Sequence, residues 1–351
     1  VFGLEQWLKV IDPNPVLIDH QQCLRARHAR SACSACSDVC PDHAVTFQSG
    51  KIAVDATLCS RCGLCAGACP TGAMKLRGVD EGVVLAAPTL RCSKTGEAGT
   101  QVPCLGWLTV DHLVEMGMRH QTVQLIHGDC TACAWAMGGE RTKDNVELAV
   151  AAGAALGPRP DVRLVRRTAS EQPAAQAVSR RELFSLWRTE TSQVVTQLMP
   201  EREVNPIRLP ARVPLRRSLW IKRIDAQTVP PDAHMPAGPW KNRVVSEACM
   251  GCGICAAFCP TGAFVAAQTE SDWTLTHQPT ACVGCDTCVA LCPVKAVGEE
   301  PLPAAAMAAG HRRERIRLVT RRCESCRKEF KASPDQVRCP QCRSMYGILR
   351  I

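Results

Sequence analysis

The sequence is poor in large rings: Phe, Trp and Tyr make up 4% of its 351 residues, and Tyr occurs once. Few bulky side chains are therefore on hand to build ordinary cores. No apolar run approaches the roughly 20 residues of a membrane helix; the best stretches, Val146–Gly157 and Ala304–Gly310, are short and rich in Ala and Gly. No G-x-G-x-x-G follows a candidate strand and no Walker loop is present, so nothing marks a flavin, nicotinamide, nucleotide or molybdopterin site. The histidines are scattered rather than paired with carboxylates at catalytic spacing, and no catalytic site of the chain's own is expected. Val1–Pro15 does not read as a signal peptide. The pair Arg180–Arg181 in Ser-Arg-Arg-Glu-Leu-Phe lies mid-chain before polar Trp187–Gln193, which argues against an export signal there.

Cysteine, in contrast, is abundant: 24 residues, in tight Cys-x-x-Cys runs. Cysteines three apart seldom bridge without strain but readily ligate one metal or cluster, so the pattern speaks for metal rather than for disulfides. Thiolate ligands favour a reducing compartment, and a cytoplasmic location is expected. The apolar fraction of 46% argues against a disordered chain, and the length suits two to four small domains. The cysteines sort into six groups of four with none left over.

Three runs share one spacing, Cys-x2-Cys-x2-Cys-x3-Cys-Pro: Cys59, Cys62, Cys65 and Cys69; Cys249, Cys252, Cys255 and Cys259; Cys282, Cys285, Cys288 and Cys292. Three cysteines on a tight loop can cap three irons of a cubane, and the proline sends the fourth toward a neighbouring cluster. The runs resemble those of bacterial two-cluster [4Fe–4S] ferredoxins, in which the fourth cysteine of each run ligates the other cluster. That resemblance implies one set of Cys249, Cys252, Cys255 and Cys292 and another of Cys282, Cys285, Cys288 and Cys259. A fourth run, Cys33-x2-Cys36-x3-Cys40-Pro41, has Arg30 where its first cysteine is expected. Either this cluster is lost or is of a three-iron type, with Cys23 a buried thiol, or Cys23 supplies the ligand through a longer loop. The even grouping favours Cys23, giving sets of Cys23, Cys33, Cys36 and Cys69, and of Cys59, Cys62, Cys65 and Cys40.

Between the ferredoxin runs, Gly82–Cys92 reads as a buried strand, Val110–Met118 as a helix and Thr122–His127 as a strand; Arg141–Leu156 reads as a helix and Asp161–Val165 as a strand. This alternation predicts a small α/β domain with a parallel sheet. Its four cysteines, Cys92, Cys104, Cys130 and Cys133, fall where the carboxyl ends of the strands would converge. The segment from Leu90-Arg-Cys92 through Pro103-Cys104-Leu-Gly to His127-Gly-Asp-Cys130-x2-Cys133 resembles the delta subunit of methyl-viologen-reducing hydrogenases. That resemblance implies a further iron–sulfur cluster, [2Fe–2S] or [4Fe–4S], on these cysteines; a zinc site is the alternative, with His127 a sheet-end residue. The tail, Cys323-x2-Cys326-x12-Cys339-x2-Cys342, has zinc-ribbon spacing and is expected to hold zinc, although its knuckles also resemble those of rubredoxins, which hold a single iron.

The expected architecture is α+β and multidomain: two ferredoxin-like modules (1–81 and 244–300) flanking a small α/β domain (82–166), with a C-terminal zinc ribbon (319–351). A Pro- and Arg-rich linker (167–243), containing one helix near Arg181–Leu198, and a second linker (301–318) join them. As a whole the chain resembles polyferredoxin subunits and four-cluster ferredoxins linked to molybdenum or tungsten oxidoreductases such as formate dehydrogenases and nitrate reductases. Ser179–Phe184, between two modules, resembles a segment of small accessory ferredoxins of periplasmic nitrate reductase systems. These resemblances imply four [4Fe–4S] clusters relaying single electrons to or from a larger redox partner protein. An accessory or maturation role for a molybdoenzyme is the alternative. The net charge of +9 and the arginines of His311–Lys328 suit an acidic redox partner and only weakly suggest nucleic acid.

Overall fold

In the first module short strands pair across the chain's two halves. The computed structural model describes residues 14–48, 51–96, 98–157, 160–167, 211–224, 228–270, 272–308, 310–332, 335–339 and 341–342. Strand β1 (Val16–Ile18) runs antiparallel to β4 (Met74–Leu76), and β2 (Val45–Gln48) forms a hairpin with β3 (Lys51–Val54). Three short helices sit among them: α1 (Leu24–Arg27), α2 (Ala35–Asp38) and α3 (Leu64–Ala68). Alternation buries Ile52, Val54, Met74 and Leu76 on the inner faces.

The middle region contains α4 (Glu81–Ala86), β5 (Thr89–Cys92), β6 (Thr100–Val102), α5 (Val110–Arg119), β7 (Thr122–His127), α6 (Ala136–Ala155) and β8 (Asp161–Arg166). Its four strands form a parallel sheet in the order β6-β5-β7-β8. One expectation needs correction: Gly82–Cys92 is not a single strand. Asp80 accepts hydrogen bonds from the Gly82 and Val83 amides, so the apolar run begins as helix and becomes strand only at Thr89. Helix α5 carries a reciprocal cap between Thr109 and His112, and α6 begins at Ala136 rather than at Arg141.

The remaining elements are α7 (Leu215–Ile221), β9 (Asn242–Val245), α8 (Ile254–Ala257), β10 (Phe264–Gln268), β11 (Asp272–His277), α9 (Thr287–Leu291), β12 (Val297–Glu300), α10 (Ala304–Ala308), β13 (Arg313–Arg322) and β14 (Glu329–Ala332). β9 pairs with β12 as β1 pairs with β4, and β10–β11 repeats the β2–β3 hairpin. The second hairpin is extended into a sheet of order β10-β11-β13-β14. Residues 301–318, expected as a linker, thus hold α10 and more than half of β13, and Leu302, Ala304, Ala306 and Met307 are buried. Among residues 167–243, only 167, 211–224 and 228–243 are described; the helix expected near Arg181–Leu198 and the Ser179–Phe184 segment lie outside the described residues. No helix among the described residues is long and apolar enough to cross a membrane.

One apolar core runs through the first module, the middle sheet, Trp220, Trp240 and the Leu302–Met307 segment. Helix α7 enters it with two buried arginines. Arg217, 0% exposed, donates to Asp111 Oδ1 at 2.6 Å, to the Cys282 carbonyl at 2.5 Å and to the Pro239 carbonyl at 3.0 Å. Trp220 Nε1 donates to the same Asp111 oxygen at 3.0 Å, and Arg216 donates to the Cys69 carbonyl at 2.8 Å. Asp111→Ala should therefore leave Arg217 buried without its counter-charge and cost about 3–5 kcal/mol. Urea unfolding followed by circular dichroism measures this; a loss under about 1 kcal/mol would contradict a structural role for the pair.

Candidate cysteine centres

Each regular cysteine run is shaped by left-handed backbone. The residues flanking the second cysteine have positive φ in all three: Arg61 and Gly63, Gly251 and Gly253, Gly284 and Asp286. This curls the chain tightly enough to turn three nearby cysteines about one point. A second repeated turn follows the fourth cysteine. Pro41, Pro70, Pro260 and Pro293 each stand two residues before a left-handed residue, namely His43, Gly72, Gly262 and Lys295. The next residue is alanine, and the amides of Ala44, Ala73 and Ala296 donate to Sγ of Cys40, Cys69 and Cys292 at 3.3, 3.2 and 3.2 Å.

The irregular run lacks the first device: neither Ala32 nor Ser34, which flank Cys33, is left-handed. Cys23 stands instead at the N-terminus of α1, and Cys23, Cys33, Cys36 and Cys69 line one small cavity. Arg25 secures the longer loop by donating to the Cys33 carbonyl at 2.5 Å while its guanidinium lies over the Phe47 ring. Burial pushes the Cys36 thiol up to about 12, and Cys69, Cys33 and Cys23 add to the shift. Burial also raises Cys65, with contributions from Cys62, Cys59, Cys36 and Cys40. Cys40 thus faces the Cys59 run, and Cys69 faces the Cys23 run.

The second module repeats this exchange. Burial pushes Cys255 up to about 12, with Cys249, Cys252 and Cys292 adding to it. Cys259, Cys282, Cys285 and Cys288 line another small cavity, where burial pushes Cys282 up to about 11. His277 lines the same cavity, and it is 0% exposed with neither ring nitrogen hydrogen-bonded among the described residues. Burial, then Arg315, Arg243 and Arg312, bring its pKa down to about 3. Thiols raised in this way ionise only beside compensating positive charge, and an orphaned imidazole needs an acceptor. A cationic iron cluster carrying sulfide satisfies both, so the residues present fit a cubane.

In the middle region Cys92 ends β5, Cys104 follows β6, and Cys130 and Cys133 follow β7, all at the carboxyl edge of the parallel sheet. Cys92, Cys104 and Cys130 line a cavity of about 550 Å³, against about 20 Å³ for each of the two cavities above. Cys133 lies close enough to raise the Cys92 thiol, after burial as the main cause. His127 ends β7, with Nδ1 2.8 Å from the Gly128 carbonyl and 3.7 Å from Cys130 Sγ. The bare backbone of α6 presses on the site: a Cβ on Gly138 would collide with Cys104 Sγ, and one on Gly139 with the Cys130 side chain. Cys104 and Cys62 share a small buried cluster with Leu64 and Trp135, so this site abuts the Cys59 run.

In the tail the four sulfurs of Cys323, Cys326, Cys339 and Cys342 all lie within 4.8 Å of one another, with Cys326 and Cys339 at 3.8 Å. Tetrahedral zinc–thiolate bonds of ~2.3 Å separate their sulfurs by about 3.8 Å. Backbone amides, including that of Cys339 at 3.3 Å, bring the Cys323 thiol down to about 6. A four-cysteine metal site is therefore formed. Sequence reasoning missed His277 and the arginines around it; the position of His277 at the end of β11, five residues before Cys282, was the only signal.

Comparison with known families matches residues 242–298 to one 4Fe–4S dicluster domain and residues 30–73 to another. The chain thus carries two ferredoxin-type iron–sulfur regions in a mixed α/β structure. The match over residues 30–73 opens at Arg30, so Cys23 lies outside it. No curated protein matches the chain. Gly138→Val should force α6 away from Cys104 and destabilise the protein by about 1–3 kcal/mol; an unchanged urea midpoint would contradict the close approach.

Proposed function

We propose that the chain is a multi-cluster electron relay that passes single electrons to or from a larger oxidoreductase, a molybdenum or tungsten enzyme being the class its polyferredoxin-like organisation suggests. The observation that carries this reading is the grouping of cysteines into neighbouring sets, with fifteen of the sixteen inside the two matched dicluster regions and Cys23 beside the first. Bound [4Fe–4S] clusters would supply reversible one-electron chemistry. The ligands would be Cys23, Cys33, Cys36 and Cys69; Cys59, Cys62, Cys65 and Cys40; Cys249, Cys252, Cys255 and Cys292; and Cys282, Cys285, Cys288 and Cys259. A further iron–sulfur cluster would sit on Cys92, Cys104, Cys130 and Cys133, and zinc on the tail cysteines.

Contacts among the protein's own residues support an order for these sets. Cys62 and Cys104 meet in one buried cluster, which joins the middle site to the Cys59 set. Cys36 acts on Cys65, which joins the two sets of the first module. Arg27 on α1 donates to the Cys259 carbonyl at 3.3 Å, and α7 holds both the Cys69 and the Cys282 carbonyls, so the Cys23 set adjoins the Cys282 set. Beyond it lies the Cys249 set, whose Cys252 is exposed and offers a point of electron entry or exit.

Iron, sulfide and zinc analysis of protein loaded under anaerobic conditions, followed by reductive titration, tests this reading. Four cubanes, a fifth iron–sulfur centre and one zinc are expected, with several centres reduced reversibly. Centres that stay silent over the accessible potential range would exclude a relay. Cys23→Ala should lower iron and sulfide by one cubane's content; unchanged content would leave Cys23 a free, half-buried thiol.

A further inference from the structure

The Cys259 set differs from the other three in its surroundings. Arg217 donates to the Cys282 carbonyl at 2.5 Å, and Arg27 donates to that of Cys259 at 3.3 Å. Arg243, 4% exposed, acts on both Cys282 and Cys288 while paired with Glu299 at 3.1 Å and with Asp286, a carboxylate that also acts on Cys285. Arg312 donates to the Ala263 and Gly262 carbonyls at 2.8 and 3.0 Å, in the turn after Cys259 and Pro260, and Cys259 acts on it in return. His277 adds at least one N–H in either protonation state, buried in the same cavity with no acceptor among the described residues.

Among the described residues the other sets have fewer such donors. The largest influences on Cys65 and Cys255 are burial and other cysteines, the Lys331 side chain lies against Gly251 in the Cys249 run, and Cys62 lies near the acidic Asp42. The Cys23 set comes next, with Arg25 beside Cys33 and Arg216 on the Cys69 carbonyl. Adding one electron to a cluster adds one negative charge. Nearby cations and N–H donors stabilise that charge, most of all away from water, and so raise the reduction potential.

We propose that the centre held by Cys259, Cys282, Cys285 and Cys288 has the highest reduction potential of the four cubane sites, so that electrons entering the chain collect there. His277 and Arg243 are its tuning residues. The proposal rests on the reading that these four cysteines hold a cubane, and the experiment separates the two.

The test is a dithionite titration of the full-length, cluster-loaded chain, followed by electron paramagnetic resonance. Cys288→Ser should alter the signal of the first cubane to be reduced, which identifies it. His277→Phe keeps a ring against Phe264 and removes both nitrogens; it should shift that centre's midpoint negative and leave the other three in place. His277→Gln restores an N–H donor and should recover part of the shift. Arg243→Met should lower the same midpoint, whereas Arg243→Lys, which retains the charge, should lower it less. If His277→Phe and Arg243→Met both leave the midpoint of the first-reduced cubane unmoved, or if Cys288→Ser alters a later-reduced cubane signal, the proposal is overturned. If Cys288→Ala leaves iron and sulfide content at the wild-type level, the underlying cluster assignment fails instead.

Discussion

A single guanidinium, that of Arg217, is the contact on which the arrangement of the modules depends. It is fully buried, and its acceptors come from three places: the Asp111 carboxylate of the middle region, the Cys282 carbonyl of the second module and the Pro239 carbonyl leading into it. Removing such a group from water costs several kcal/mol unless its donors are well satisfied, so the three acceptors have little freedom to separate. Arg216, one residue earlier, ties the same short helix to the Cys69 carbonyl of the first module. Helix α7 thus acts as a polar clasp beside the apolar core that joins the same parts.

The cysteine loops obey a different constraint. Sulfurs gathered in an apolar space repel one another once ionised, so the backbone must both curl around a compensating centre and offer it amides. The paired left-handed residues provide the curl, and the Cys-Pro-x-x-Ala turn provides the amide, with His43 and Lys295 adopting the conformation that Gly72 and Gly262 take more easily. The irregular run around Cys33 avoids the tight curl, and Arg25 stiffens the loop before it by binding the Cys33 carbonyl.

What could be read from the sequence is what is local. The cysteine spacings reflect loops of a few residues, and Thr122–His127 has the span expected from its pattern because both its neighbours in the sheet bury it. The Gly82–Cys92 run was misread because an apolar stretch looks alike in helix and strand, and a single capping aspartate decides between them. The arginine contacts were not legible at all: Arg216 reaches a carbonyl 147 residues away and Arg27 one 232 residues away. The burial of His277 likewise depends on β13 packing against β11, a pairing between segments that the sequence presents as a module and a linker.

That pairing makes the tail inseparable from the module before it. β13 runs from Arg313 to Arg322, so a boundary drawn at residue 319 would cut through a strand. Removing β13 would also leave β11 as a bare sheet edge, with the unpaired amides and carbonyls that invite other chains to add on. The four-cysteine tail is therefore a continuation of the second module's sheet. Gene fusions or shortened versions of this protein should keep the two as one heritable piece, exchanged together or not at all.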